Sequence, residues 1–304
     1  MKKVLILFSR KHRQVEDYRR IFDKLYTVGL KRNAELFLGN NDELWIEIKD
    51  NQLKITEPNS GLDLRDFDFV HFDWWGRARE QAYAAAHYLD NSNVPYLTKN
   101  LGVLSTEGEK ICEMAALADR GINLPNTFIS SHDQLKFIFK KNPPFKFPIV
   151  VKATNGYGGK NNFLADNCED LDRILDDHED IDFVVQEFIP NDCDYRCLIF
   201  DNKIKLVLKR TRTKNSNSHL NNTSTGADGQ IVPLKSIPRE SRRMAISASK
   251  TLNRSQFGGT DLIFDKFTNK PYILEVNSTP EIEEGAEPDK KIDALFDYIE
   301  SEIK

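Results

Sequence analysis

The chain has 304 residues, 39% of them hydrophobic and 30% charged, which is enough for a large core and for more than one domain. A formal net charge of −4 removes any general electrostatic drive toward nucleic acid. No apolar run reaches transmembrane length, and Lys2-Lys3-Val-Leu-Ile-Leu-Phe8 is too short for the apolar segment of a signal peptide, so no membrane partner and a cytoplasmic setting are expected.

Val4 to Phe8 reads as a central parallel strand, and helix-spaced Tyr18, Ile21, Phe22 and Leu25 follow. Leu44 to Ile48 and Leu53 to Ile55 form a small hairpin. Phe67 to Phe72 is a second buried strand, ending in Asp73-Trp-Trp-Gly-Arg77-Ala-Arg79. A helix over 80–89 and a strand over 95–97 complete an open α/β domain of about the first hundred residues. Ligands in such sheets sit beyond the carboxyl ends of the strands, so Arg77 or Arg79 could grip a substrate carboxylate; equally, the two tryptophans could only cover a domain interface. Ser9-Arg10-Lys11 has a similar place with less support.

Beyond residue 100 the pattern continues with helices over 109–117 and 133–140, and strands over 125–129, 147–152 and 183–189. A helix over 170–175, strands over 196–200 and 204–208, and a helix over 241–252 with Met244, Ile246 and Ala248 inward come next. An amphipathic helix over 292–303 ends the chain. Asn215 to Gly226 is a polar, low-complexity stretch that reads as a mobile loop. Cys112, Cys168, Cys193 and Cys197 lack zinc-type spacing and read as reduced, mostly buried thiols.

Three segments carry chemistry. Gly258-Gly-Thr-Asp261 and Glu275-Val-Asn277 flank a strand–turn–strand whose turn is 265–270, so adjacent antiparallel strands could bring two acids and an amide together. Alternation puts Glu275 and Asn277 on one face and Val276 on the other. An all-oxygen set suits a hard cation such as Mg2+. Lys152 ends an apolar strand and precedes a glycine-rich turn containing Gly156, Gly158 and Gly159, where backbone N–H groups can close on phosphate oxygens. Gln186-Glu-Phe-Ile189 ends another strand and can offer backbone groups to an adenine edge. Each segment alone also fits a plain turn or strand end.

Lys110 on a helix, Lys152 before the glycines, Gln186-Glu187, Asp194-x-Arg196, Lys209-Arg210, Asp261 and Glu275-x-Asn277, in this order, resemble the ATP-grasp superfamily, and its RimK-like branch of ribosomal-protein glutamate ligases and peptide-modifying ligases most. The resemblance covers nearly the whole chain and is strongest from Lys110 to Pro280. It implies an α/β fold of mixed α+β character. An open pre-ATP-grasp domain over 1–100 would precede a two-lobed ATP-grasp domain with antiparallel sheets, its lobes at 101–188 and 189–304. It implies ATP with one or two Mg2+ ions, replaceable by Mn2+. Lys110, Lys152 and the Gly156, Gly158 and Gly159 lid would lie on the phosphates. Gln186, Glu187, Phe188 and Ile189 would border adenine, and Asp194 the ribose. Asp261, Glu275 and Asn277 would hold the metal, and Lys209 and Arg210 would be the catalytic cations, Arg210 facing the transferred phosphate.

The implied reaction joins a carboxylate substrate to an amine substrate through an acyl phosphate, on a peptide, protein or amino acid. Alternatives are a small-molecule ligase of the glutathione or dipeptide synthetase type, a phosphotransferase on the same fold, and a regulatory nucleotide binder that has lost turnover. An oligomer is compatible with all of them. The branch usually has arginine where this chain has the Asn/Ser-rich stretch 215–225, which puts glutamate as the added group in question. His219 in that stretch reads as a solvated loop histidine before a catalytic base. Lys205, Arg212 and Lys214 extend the basic run and fit a solvated strand face as well as a phosphate wall.

Overall fold

The computed structural model describes residues 1–8, 15–49, 52–73, 79–102, 110–129, 132–154, 160–212 and 228–303. Arg77, Gly156, Gly158, Gly159, His219, Lys214 and the segments 9–11 and 215–226 lie outside the described residues, as does the Arg79 side chain.

The N-terminal part is built on β1 (Lys2–Phe8), which α1 (Val15–Lys31) connects to the parallel β2 (Ala34–Asn40). A small antiparallel meander, β3 (Trp45–Lys49), β4 (Gln52–Glu57) and β5 (Leu62–Asp63), intervenes before β6 (Phe69–Phe72), α2 (Arg79–Ser92) and β7 (Tyr96–Leu97). The main sheet runs β2-β1-β6-β7, all parallel. Helices on both faces explain the continuous apolar run of β1. Val4, Ile6 and Phe8 pack with Ile21 and Leu25 of α1, whereas Leu5 and Leu7 meet Ala82, Ala85 and Leu89 of α2. β2 was not evident from its sequence, where a single glycine and Asn40 break the β pattern.

A second sheet follows α3 (Lys110–Asp119), from β8 (Thr127–Ile129), α4 (His132–Lys141), β9 (Ile149–Ala153), β10 (Asn162–Ala165), α5 (Cys168–Asp177) and β11 (Phe183–Glu187). Its order is β10-β9-β11-β8, antiparallel throughout. Asn167 starts α5 by accepting the Asp170 N–H at 2.8 Å, a side-chain N-cap. Ile149, Val151 and Ala153 face the helices, packing with Leu135, Phe139 and Leu171. Alternation therefore turns Lys152 to the opposite face.

The third sheet is β14-β13-β12-β15-β16, formed by β12 (Cys193–Phe200), β13 (Lys203–Thr211), β14 (Asp228–Val232), β15 (Phe257–Phe264) and β16 (Pro271–Asn277). Helix α6 (Arg239–Thr251) covers one face and α7 (Pro288–Glu302) lies by the other. Toward α6 point Cys197, Ile199, Val207, Leu262, Ile273 and Val276. Ala245 and Ala248 are fully buried there, whereas Met244 and Ile246, expected inward, are only partly buried at the flanks. Small residues let α6 approach closely enough for Ser249 and Thr260 hydroxyls to bond at 2.9 Å. On the other face, Leu198, Phe200 and Phe257 join the α1, α7 and β1 core, which ties this sheet to the N-terminal one.

Among the described residues no helix is long and apolar enough to cross a membrane. Cys168, Cys193 and Cys197 are free thiols, but only Cys197 is buried, so the expectation of mostly buried cysteines fails for the other two.

Candidate active site

The charged end of the third sheet follows directly from strand parity. β12 and β13 place Asp194 opposite Arg210, and β12 and β15 place Arg196 opposite Asp261. β15 and β16 place Asp261 opposite Glu275 and Gly259 opposite Asn277. All six polar side chains thus share one face, as the alternation of Glu275-Val276-Asn277 predicted.

Arg210 Nε donates to Asp194 Oδ1 at 2.6 Å, and its Nη2 reaches Asp194 Oδ2 and Asp261 Oδ2, both at 2.8 Å. Arg196 grips Asp261 with Nε to Oδ1 and Nη2 to Oδ2, each at 2.7 Å, and its Nη2 lies 3.9 Å from Glu275 Oε1. Asp194, Arg210 and Asp261 are buried, whereas the Glu275 side chain is 46% exposed. Bidentate charge-assisted bonds of this kind fix both guanidinium planes. Burial alone would push the Asp261 carboxyl up, but Arg196 and Arg210 overcome it and hold the group well below the usual carboxylate range. Burial dominates at Asp194 and pushes it up, against the pull of Arg210 and with the repulsion of Asp261. Arg210 is pushed up by Asp261 and Asp194 against the effect of burial.

The other lobe brings two lysines. Lys110 Nζ donates to the Thr154 carbonyl at 3.0 Å, which places the start of α3 beside the end of β9. Burial lowers the Lys110 pKa, opposed by the pull of Glu275 and Glu113. Burial also lowers Lys152, with Glu275 pulling up, Lys110 pushing down and Asp261 pulling up. The two lysines therefore feel each other and the acids of the third sheet.

The expected site residues do not all come together. Lys209 stands opposite Tyr195, one step out of phase with Arg210, so it lies on the opposite face of the sheet and away from the acids. The Asp194 carboxylate, expected beside the ribose, accepts from Arg210 through both oxygens and so orients that arginine. Glu187 accepts from the Asn126 backbone at 3.0 Å and its side-chain amide at 2.7 Å, and so pins the strand before β8. Gln186 is buried, its amide donating to Thr127 Oγ1 at 2.8 Å. Phe188 is half-buried and Ile189 buried at the end of the same run. Lys205 and Arg212 are also absent from the cluster, Arg212 donating to the Asn191 carbonyl.

Two contributors escaped the sequence reading. Arg254, buried, donates to the Val276 carbonyl and to Glu113, and so ties α3, with Lys110 one turn earlier, to the strand that carries Glu275. The contact joins residues 141 positions apart, and no local pattern signals it. Arg196 was read only as part of a motif. The two glycines of β15 have steric reasons: a Cβ on Gly258 would meet the Arg254 carbonyl at 2.6 Å, and one on Gly259 would meet Pro280 Cβ at 2.7 Å.

The donor chemistry fits a magnesium–nucleotide group in part. Glu275 is open, and the Asn277 amide nitrogen is turned to Glu275 Oε1 at 3.2 Å, which leaves its oxygen as a donor to a cation. Both suit a hard dication. Asp261 differs: both its oxygens already accept from guanidinium groups, so it reaches a cation only alongside Arg196 and Arg210.

Antiparallel sheets that present paired lysines on one lobe and a carboxylate–arginine frame on the other define an ATP-grasp fold. The RimK-like ATP-grasp domain matches residues 107–301, and the chain belongs to that family. A probable alpha-L-glutamate ligase of Vibrio atlanticus (strain LGP32) is 29% identical over 208 residues, which are 66% of this chain and 66% of the relative. A probable alpha-L-glutamate ligase of Desulfotalea psychrophila (strain LSv54 / DSM 12343) is 26% identical over 274 residues, 86% of this chain but 54% of the relative. The chain thus spans between about half and two thirds of these two proteins. Among solved structures, the ATP-grasp ligase PsnB complexed with a minimal precursor superposes with a TM-score of 0.68 at 16% identity, covering 100% of this chain and 99% of that one. D-alanine–D-alanine ligase from Bacillus anthracis gives a TM-score of 0.68 at 17% identity, with 100% and 97% covered.

Proposed function

We propose that the protein is an ATP- and Mg2+-dependent ligase that joins a carboxylate to an amine through an acyl phosphate, with a peptide, a protein tail or an amino acid as substrate. The observation that carries the reading is one sheet face on which Arg196 and Arg210, fixed by Asp194 and Asp261, stand beside the oxygen donors Glu275 and Asn277. Membership of the RimK-like family and relatives named as glutamate ligases support it. So do structures of PsnB with a minimal precursor, Mg and ADP.

When bound, Mg2+–ATP supplies the phosphoryl group that makes the carboxylate reactive toward an amine. In this reading Glu275 and Asn277 give the cation its protein oxygens, and Asp261 joins them while it keeps its arginines. Lys110 and Lys152 neutralise phosphate oxygens from the other lobe, and the turn of Gly156, Gly158 and Gly159 adds backbone N–H groups. The backbone of Gln186 to Ile189 borders the adenine. Arg210 faces the transferred group, and its carboxylate frame spares it any reorganisation as charge develops. Positioning and charge, rather than a side-chain nucleophile, do the chemistry.

Incubation with ATP, Mg2+ and pools of amino acids or peptides, followed for ADP and product mass, tests this. ADP together with a product of amide mass supports the ligase; a phosphorylated product without an amide overturns it in favour of a phosphotransferase.

A further inference from the structure

A second cluster of ionisable side chains lies outside the charged end of the third sheet. His71 and Asp73 come from β6 and its carboxyl end, and Glu283 from the segment between β16 and α7. His71 is completely buried, and Asp73 and Glu283 are nearly so. One potential donor atom from each lies within 4.8 Å of the others. The imidazole packs edge-on against Phe257 at 5.2 Å, and neither ring nitrogen has a hydrogen-bond partner. Its Nε2 is 3.8 Å from Asp73 Oδ1, too long for a hydrogen bond.

This arrangement is poor for a core histidine and good for a ligand. A buried polar group without a partner costs about 1–3 kcal/mol, and native proteins rarely leave one. A structural histidine would have one nitrogen on a carbonyl or hydroxyl; here Phe257 occupies that flank instead. Two carboxylates, of Asp73 and Glu283, lie with it in the same cluster.

We propose that His71, Asp73 and Glu283 bind one divalent transition-metal ion of the Mn2+ or Zn2+ type, at a site separate from the nucleotide. One imidazole nitrogen with two carboxylate oxygens is a borderline donor set, which favours such ions over the all-oxygen preference of Mg2+. Three donors at about 2.1 Å from one tetrahedral ion lie about 3.4 Å apart, so side-chain movements of about an ångström gather the three. Such an ion clips the end of β6 to the segment that also supplies Glu281 and Glu284, whose carbonyls hold Lys291 of α7. Those three line a pocket with Arg196 and Arg210, so the ion fixes one wall of the space beside the phosphate-facing arginines.

The full chain, stripped with EDTA and free of nucleotide, is titrated with Mn2+ and with Zn2+ by calorimetry, and bound metal is counted by mass spectrometry. The wild type and Glu275→Ala should each bind about one equivalent of one of these ions, whereas His71→Phe and Glu283→Gln should bind it at least tenfold more weakly. Both variants keep the buried volume, and metal-free melting temperatures report whether they fold. Should neither fold, the zinc-edge absorption spectrum of the wild type decides. One imidazole among oxygen donors upholds the site; thiolate, several imidazoles or oxygen alone overturns it. Absence of uptake by the wild type, equal binding by folded variants, or loss of binding in Glu275→Ala also overturns it.

Discussion

The two faces of the five-stranded sheet share the same strands and alternate residue by residue, yet they solve opposite problems. Toward α6 the face is mostly apolar, from Cys197 and Val207 to Leu262 and Val276, with Thr260 bonded to Ser249 of the helix. The other face changes character along its length. Leu198, Phe200 and Phe257 join the core, and two to four residues further along β12 and β15 the side chains are Arg196, Asp194 and Asp261. The apolar face is stabilised by area removed from water and tolerates exchange of similar volumes. The core of the charged end instead depends on complete pairing, because Asp194, Arg196, Arg210 and Asp261 are desolvated and the loss of one strands the others. Stability and chemistry thus occupy alternate residues of one set of strands.

The largest way to break this contrast is Arg210→Ala. It leaves Asp194 and half of Asp261 uncompensated in a buried place, and a loss of about 3–5 kcal/mol is expected in denaturant unfolding, together with loss of turnover. Leu262→Ala on the apolar face should cost about 2–5 kcal/mol while the KM for ATP stays near that of the wild type. Gly258→Ala presses a methyl group on the Arg254 carbonyl and should cost about 1–3 kcal/mol. Glu275→Ala sharpens the comparison from the other side: an exposed member of the charged face should leave stability within about 1 kcal/mol of the wild type but abolish ADP release. The smallest effect belongs to Lys209→Ala. Next in sequence to Arg210 but on the other face, it should change stability by less than about 0.5 kcal/mol and leave turnover intact. A loss of turnover there equal to that of Arg210→Ala would defeat the assignment of faces.

Much of this was readable in the residues. Val4 to Phe8 announced a strand buried on both faces, and Asp261 with Glu275-x-Asn277 announced a hairpin with a polar side, because periodicity is a local property. Cross-strand partners were not readable. Whether Lys209 or Arg210 turns toward the acids depends on the register of β12 against β13, which shifts between Leu198 and Ile199. Asp194 therefore looked available for a ligand when its partner was sixteen residues away. Arg254 and Glu113 meet only after the whole fold is in place, as do His71 and Glu283, since neither pair leaves any spacing signature.

The register of β15 against β16 also shifts, between Asp261 and Leu262, so that Leu274 is the extra residue on its strand. That bulge lets Ile273 and Val276, three apart, both face α6, while Tyr272, Glu275 and Asn277 face the other way. The acid and the amide therefore owe their side of the sheet to a count of residues rather than to their own chemistry. Loss of Leu274 alone would leave Tyr272, Ile273, Glu275, Val276 and Asn277 in plain alternation, each on the face it has now, so the site should survive it. Loss of Val276 instead would make Glu275 and Asn277 neighbours and turn them to opposite faces, so a one-residue deletion in β16 spares or splits the acid and the amide according to where it falls.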